Sequence, residues 1–317
     1  MARKIVVIGS INMDLVSRCA RMPALGETVA GSDLLTIPGG KGANQAVTAA
    51  RLAGPGDEVH MIGRVGDDDF GQRLLIALRE HGVRTDHVTV TEAVSTGCAV
   101  ILVNKAGENS IVVSPGANAR LSPADVDAAA ELIAAASVVL LQLEVPSDTV
   151  AHAIAVARRS SAKLILDPAP VPPKSLPRAL YGVDVLTPNQ NEADLLLARR
   201  STMGRMRRSK PVDIRQLGEE LRGRGPAAVV LKLGRKGALI VDGEFEHVKG
   251  RKVTVVDTTA AGDAFNGALG VALAEGMELG RAVRFANAAG AKACEKFGAQ
   301  PSLPTRMEVE ALMEGMR

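Results

Sequence analysis

Residues 253–267 read Val-Thr-Val-Val-Asp-Thr-Thr-Ala-Ala-Gly-Asp-Ala-Phe-Asn-Gly and carry two carboxylates, Asp257 and Asp263. The β-branched run 253–256 reads as a buried strand. The run from Ala264 to Glu275 has the spacing of an amphipathic helix. Ala260, Ala261, Gly262 and Asp263 therefore fall where a strand hands over to a helix N-terminus, with unpaired N–H groups and the positive end of the dipole. Small side chains let an anion approach those groups, which makes this stretch a phosphate or oxyanion site. Asp263 is the odd residue, because a bound anion would repel it. Two readings fit: Asp263 caps the helix, or it is a general base beside a phosphoryl group in transit.

Other elements must bring partners to this stretch. Residues 4–9 (KIVVIG) form a strand apolar on both faces, hence covered on both, and Asn12 and Asp14 follow it. Glu144 follows the apolar run 138–143, Asn189 and Glu192 follow 183–186, and Gly234 and Gly237 follow 227–233. From residue 120 strands (163–166 among them) alternate with helices. This predicts an α/β fold with a doubly wound, mostly parallel sheet and helices on both faces. The C-terminal ends of parallel strands share one edge, where open α/β sheets bind ligands. One polar crevice is expected there, with the glycine-rich turn at Gly39, Gly40, Lys41 and Gly42 and the anion site on its rim.

Further helices are expected after Gly42, over 70–81, from a Ser147 cap to Arg159, over 189–198 and 213–221, and from a Thr305/Glu308 capping box. A strand is read at 59–62. A hairpin turns at Asp242-Gly243 between strands 237–241 and 245–248. Residues 15–37 are broken by Pro23, Gly26 and Gly31. They read, with 98–103 and 110–113, as a small β element outside the main sheet. The run 199–210 holds six basic residues in twelve and reads first as a solvated connection, with a polyanion-binding patch as the alternative.

Composition narrows the function. The chain has 317 residues, 46% of them hydrophobic, with five Phe, one Tyr and no Trp. The core is therefore aliphatic, and a nucleic-acid surface built on aromatic stacking is not expected. Thirty-eight basic and 35 acidic residues leave a net charge of +3, too balanced to call for a polyanionic partner. Cys19, Cys98 and Cys294 are odd in number and widely spaced, which suits a reducing compartment. No run approaches the roughly 20 apolar residues of a membrane span, and no leader is read. A soluble, cytoplasmic protein is expected. Neither the G-x-x-x-x-G-K-[ST] loop nor the G-x-G-x-x-G dinucleotide fingerprint occurs. The five histidines fall away from the crevice.

Two motifs carry a resemblance. Gly39-Gly40-Lys41-Gly42-Ala43-Asn44 resembles the first signature of the ribokinase-like carbohydrate kinases, and Asp257 to Gly267 resembles the second. Asn12-Met13-Asp14, Gln45-Ala46, Asn189-Gln190-Asn191-Glu192 and Gly298-Ala299-Gln300-Pro301-Ser302 match further family positions, so the likeness spans about residues 4–304. It implies one α/β domain over 1–317 with a β lid from about 15–37 and 98–113, which often also makes a homodimer interface. Asn12, Asp14, Gly40, Lys41, Asn44 and Glu144 would hold sugar hydroxyls. Asn189 and Glu192 would arrange magnesium and phosphates. Lys232, Gly234, Gly237 and Asn287 would line ATP. Ala260, Ala261, Gly262 and Asp263 would meet the γ-phosphoryl group, with Asp263 as the base. A potassium site would involve Asp257, Thr259, Ala293, Lys296, Gly298 and Ser302. The expected reaction is phosphorylation of a sugar hydroxyl by ATP, with D-ribose first and deoxyribose, a ketose or a nucleoside as alternatives. A sugar- or nucleotide-binding regulator without turnover is the alternative of another class.

Overall fold

In the computed structural model, which describes residues 2–173, 175–197 and 213–315, the first apolar run forms strand β1 (Lys4–Ile8). Side chains alternate across a strand. Ile5 and Val7 therefore enter one aliphatic cluster, and Val6 and Ile8 enter the other. That is why the run is continuously apolar. The chain then leaves the main sheet for β2 (Asn12–Cys19) and β3 (Gly31–Gly39), and returns through α1 (Lys41–Leu52), β4 (Glu58–Gly66), α2 (Asp69–Glu80) and β5 (Val83–Thr91). It leaves again for β6 (Gly97–Val103) and β7 (Asn109–Ser114).

The remainder alternates: α3 (Pro123–Ala128), α4 (Ala130–Ala134), β8 (Val138–Leu141), α5 (Ser147–Ala157), β9 (Lys163–Leu166), β10 (Val185–Leu186), α6 (Gln190–Leu196), α7 (Ile214–Arg222) and β11 (Ala228–Lys232). The hairpin β12 (Gly237–Val241) and β13 (Phe245–Lys249) follows, then α8 (Ala261–Ala274), α9 (Leu279–Ala293) and α10 (Arg306–Glu314). The main sheet runs β13-β12-β11-β10-β9-β8-β1-β4-β5. It is parallel from β5 to β11, and the hairpin is antiparallel at its edge. Residues of α1, α8, α9 and α10 enter one cluster, and those of α3 to α7 enter the other. The doubly wound sheet with helices on both faces is as the alternation predicts.

The small sheet has the order β3-β2-β6-β7. Its β2 begins at Asn12, so Asn12 and Asp14 lie on a strand of the small sheet rather than in a loop leaving β1. Two other expectations need correction. Residues 253–256 are not a strand, and the side chains of Val255 and Val256 are 61% and 60% exposed. The sheet has already ended at β13, so the run has no ladder to join. It is held instead by the N–H groups of Val256 and Asp257, which donate to the carbonyl of Cys294 just past α9. Ser147 does not cap α5; it is the first helical residue, after Pro146. Strand β5 has no counterpart in the sequence reading, because Arg84, Asp86 and Thr89 interrupt its apolar residues at the sheet edge. The capping boxes at Asn189/Glu192 and Thr305/Glu308 form as read. The basic run 199–210 lies outside the described residues.

Candidate active site

Asp263 is the third residue of α8 and does not cap it: the N-cap is Ala260, in the left-handed conformation with φ of 58°. The carboxylate points to α1, where it accepts from Asn44 Nδ2 at 2.9 Å and, more weakly, from Gln45 Nε2 at 3.4 Å. The close approach of the two helices makes this possible, since a Cβ at Gly267 would lie 2.7 Å from the carbonyl of Gln45. The cap reading therefore gives way. At the start of α8 the Ala261 N–H is engaged with the Thr258 carbonyl at 3.3 Å, whereas those of Gly262 and Asp263 have no acceptor among the described residues. Of the four N–H groups expected to form the anion site, that of Ala261 is thus already engaged.

The residues expected on the sugar side come from three elements. Gly40 is the N-cap of α1, and Lys41 is its first residue. Glu144, just beyond β8, accepts from the Lys41 N–H at 3.1 Å and from Ser10 Oγ at 2.5 Å. Asn12 and Asp14 are both buried on β2. Asn44 Oδ1 is buried without a hydrogen-bond partner among the described residues, an acceptor left over for a ligand hydroxyl.

On the other side, Asn189 and Glu192 hold each other: Asn189 Oδ1 accepts from the Glu192 N–H at 2.9 Å, and Glu192 accepts from the Asn189 N–H and Nδ2, each at 2.7 Å. Lys232 ends β11, and a Cβ on Gly262 would lie 3.6 Å from its Nζ, so this lysine adjoins the anion site. Gly234 and Gly237 form the turn into β12, with φ of 57° and 95°. Asn287 on α9 is buried and donates to the Val248 carbonyl at 3.4 Å. Its place is therefore against β13, beside the same turn.

Asp167 was not singled out from the sequence, yet it is only 2% exposed and accepts from Lys232 Nζ at 2.8 Å and from Gln45 Nε2 at 3.3 Å. Gln45 thus bridges Asp167 and Asp263, and is itself held by Gln142 Nε2 at 2.7 Å. The signal was present: Asp167 follows β9 directly, as Glu144 follows β8.

Lysines and carboxylates share one field here. Burial alone would lower the Lys41 pKa, but Asp263, Asp167, Glu144 and Glu192 outweigh it and raise it, keeping the ammonium charged. Asp263 is pushed up to about 6 by burial, with Asp167 and Glu144 adding to the rise and Lys41 and the Asn44 bond opposing it. Asp14 is pushed up to about 7 by burial, then by Glu144 and Asp263, against Lys41. Burial also raises Glu192, against the pull of Lys232. Buried carboxyls held near neutrality by one another are typical of groups that exchange protons.

Of the residues expected to hold potassium, Asp257, Thr259 and Gly298 line a cavity of about 420 Å³ between the small sheet and the loops at 256–259 and 297–299. One Asp257 oxygen accepts from the Thr259 N–H and Oγ at 2.9 and 2.7 Å, and the other accepts from the Gly298 N–H at 2.9 Å. Lys296 Nζ is turned to Glu308, and Ser302 Oγ donates to the Ala299 carbonyl, each at 2.8 Å. Ala293 closes α9. Asp257 therefore joins the two loops, and its other expected partners offer backbone carbonyls and the hydroxyl oxygens of Thr259 and Ser302.

The sequence profile described as pfkB family carbohydrate kinase matches residues 2–306. The chain belongs to that family. A ribokinase of Bacillus subtilis is 40% identical, with 98% of this chain and 99% of that protein covered. A deoxyribokinase of Salmonella typhi is 37% identical over 83% of each chain. The crystal structure of Arabidopsis thaliana ribokinase with ribose and ATP covers 99% of both chains at a TM-score of 0.88 and 32% identity. The chain is therefore a phosphotransferase that acts on an alcohol group.

Proposed function

We propose that the chain transfers the γ-phosphoryl group of ATP to the primary 5-hydroxyl of D-ribose, giving D-ribose 5-phosphate. One observation carries the reading. A buried carboxylate, Asp263, lies between the polar sugar-side residues and two unpaired N–H groups at a helix N-terminus. In this mechanism Asp263 takes the proton of the attacking hydroxyl. The N–H groups of Gly262 and Asp263 meet the charge passing over the γ-phosphoryl oxygens, joined by Ala260 and Ala261 as the wall of the site. Lys232 and Lys41 add positive charge beside it. Asn12, Asp14, Gly40, Lys41, Asn44 and Glu144 hold the sugar hydroxyls, which suits a polyol because each hydroxyl donates and accepts. Asn189, Glu192, Lys232, Gly234, Gly237 and Asn287 take the nucleotide.

Magnesium and potassium belong to this reading. Among the described residues no three His, Cys, Asp or Glu side chains are grouped to hold a metal. That donor set fits an ion held mainly by nucleotide phosphates and water, with Glu192 near it. Bound there, magnesium neutralises charge on the phosphates. The Asp257, Thr259, Ala293, Lys296, Gly298 and Ser302 set fits a large monovalent ion, because one carboxylate sits among loops whose remaining oxygens are neutral carbonyls and hydroxyls. Residues 1–317 are read as one domain, with the small sheet as its lid. On that sheet Leu34, Val100 and Val112 share one face, and Leu35, Ile111 and Val113 share the other; all six are exposed. A second copy covering them would make a homodimer. Cys19, Cys98 and Cys294 are unpaired, which suits the cytoplasm. No helix among the described residues is long and apolar enough to cross a membrane.

The test is a coupled ADP-release assay over pentoses, deoxyribose, ketohexoses and nucleosides. Ribose should give the highest kcat/KM. The deoxyribokinase likeness makes deoxyribose the competitor, and a higher kcat/KM for it would replace ribose. No turnover of any sugar would leave the binding regulator.

A further inference from the structure

Asn12 can offer a sugar either its amide oxygen or its amide nitrogen, and a neighbour outside the two signatures decides which. Asn118 sits in the 3₁₀ turn Gly116–Arg120 that follows β7, and is 1% exposed. Its Oδ1 accepts from the Ile11 N–H at 2.9 Å, and its Nδ2 donates to the Ile11 carbonyl at 3.1 Å. A peptide group offers its donor and acceptor on fixed atoms, so these two bonds settle which end of the Asn118 amide is nitrogen. The second N–H of Nδ2 goes to Asn12 Oδ1 at 2.7 Å. The Asn12 oxygen is thereby engaged, and its Nδ2 has no acceptor among the described residues. Space around the pair is closed: a Cβ at Gly97, the β6 partner of Asn12, would lie 2.1 Å from Asn118 Nδ2 and 2.3 Å from Asn12 Oδ1. Asn12, Asn118 and Glu144 line one cavity of about 380 Å³.

We propose that Asn118 is a positioning residue for sugar binding: it locks the Asn12 amide with its donor end toward the sugar. Asn12 then serves as donor beside Asp14, the acceptor two residues on along β2, so a hydroxyl meets both polarities. Because Asn118 stands at the exit of the small sheet and Asn12 at its entrance, the lock also joins the two ends of that sheet at the sugar. The proposal rests on the assignment of Asn12 and Asp14 to the sugar side.

The experiment is a double-mutant cycle between Asn118→Asp and Asn12→Ala, run with the sugar the wild type turns over best. Asn118→Asp keeps the acceptor for Ile11 and removes both donors. It should raise the sugar KM roughly tenfold to a hundredfold, the scale of an unpaired buried polar group, and leave the ATP KM within about twofold. In the Asn12→Ala background the same change should move the sugar KM less than about threefold, because a residue that acts through Asn12 has nothing left to position. A full additive loss there, or equal rises in both KM values, overturns the proposal in favour of a structural role. Asn12→Asp covers the case in which Asn118→Asp fails to fold, since it keeps an oxygen for Asn118 and loses the donors. It should raise the sugar KM as far as Asn12→Ala does, and normal sugar binding by Asn12→Asp overturns the proposal. If Asn12→Ala itself leaves the sugar KM unchanged, the sugar-side assignment falls as well.

Discussion

Asp257 and Asp263 stand six residues apart in one motif, yet their surroundings are opposite. Asp257 is half-buried and well partnered, with three neutral donors from two loops on its oxygens. Asp263 is buried and has one good donor and one weak one, and burial, with neighbouring carboxylates adding to it, pushes its pKa up to about 6. A satisfied carboxylate adds to stability, while an under-paired buried one subtracts from it and is retained for what it does to a ligand. The difference shows that the role of an acidic residue is set by its partners, which a motif does not display.

The sharpest way to break this contrast is to remove each charge in turn. Asp263→Asn should lower kcat by roughly 10²–10⁴ while sugar and ATP binding stay near normal. The same variant should melt several degrees higher than wild type at pH 8, because a destabilising charge is gone. Asp257→Asn should do the reverse, losing thermal stability first and turnover less. Measured kcat and melting temperature decide it, and near-normal turnover in Asp263→Asn removes that residue from the base role.

Asp14 extends the comparison to the small sheet. Asp14→Ala should raise the sugar KM by roughly ten- to a hundredfold, since a sugar hydroxyl then loses its buried acceptor, and should change the ATP KM little. Equal changes in both constants would place Asp14 with Asp257, as a structural acid.

The same comparison marks what the sequence could and could not disclose. The alternating runs after residue 120 announced the parallel sheet, because a strand covered on both faces has no polar position to blur it. The rule that polar residues follow strand ends found Glu144, Asn189 and Glu192, and applied evenly it would have found Asp167. It misplaced residues 253–256, because β-branched composition states a preference and not a partner; the last strand of the sheet had already passed. Asn118, and the bridge that Gln45 makes from within its matched motif, were beyond reach for another reason. Their importance lies in which atoms of distant residues they face, and neither spacing nor composition carries that information.

A pH series probes the shared field with a smaller effect. Asp263 must be ionised to accept a proton, so kcat/KM should fall about tenfold per unit below about pH 6. Between pH 6 and 8 the sugar KM should change as Asp14, pushed up to about 7, titrates. Stability runs the other way. Both folded pKa values lie above the ordinary 3.8, so the folded state binds these protons more tightly than the unfolded chain does. Their stabilisation is complete below about pH 4 and is lost as pH rises through about 6 and 7. The gain in melting temperature of Asp263→Asn over wild type should therefore be large at pH 8 and small at pH 4. A gain independent of pH would mean that the charge of Asp263 is not its source.

The smallest expected effect concerns potassium, and it tests whether Asp257 works alone. Its three hydrogen bonds already tie the 257–259 loop to Gly298, and that loop leads into Ala260 and the donors of Gly262 and Asp263. If those bonds suffice to hold the donors in place, a cation adds nothing. A monovalent ion among the carbonyls would hold the loop more tightly, and donors fixed in advance lower the barrier. Something near 1 kcal/mol of such fixing corresponds to roughly fivefold in rate. Replacing potassium with a bulky organic cation, at constant ionic strength and saturating magnesium, should then slow the wild type about that much. Asp257→Ala should be slow with either cation, having lost both the ion and the hydrogen bonds. A wild type indifferent to potassium, beside an impaired Asp257→Ala, would show that the carboxylate pins the loop by hydrogen bonds alone. Recovery of Asp257→Ala by potassium would show instead that the carbonyls hold the ion without it.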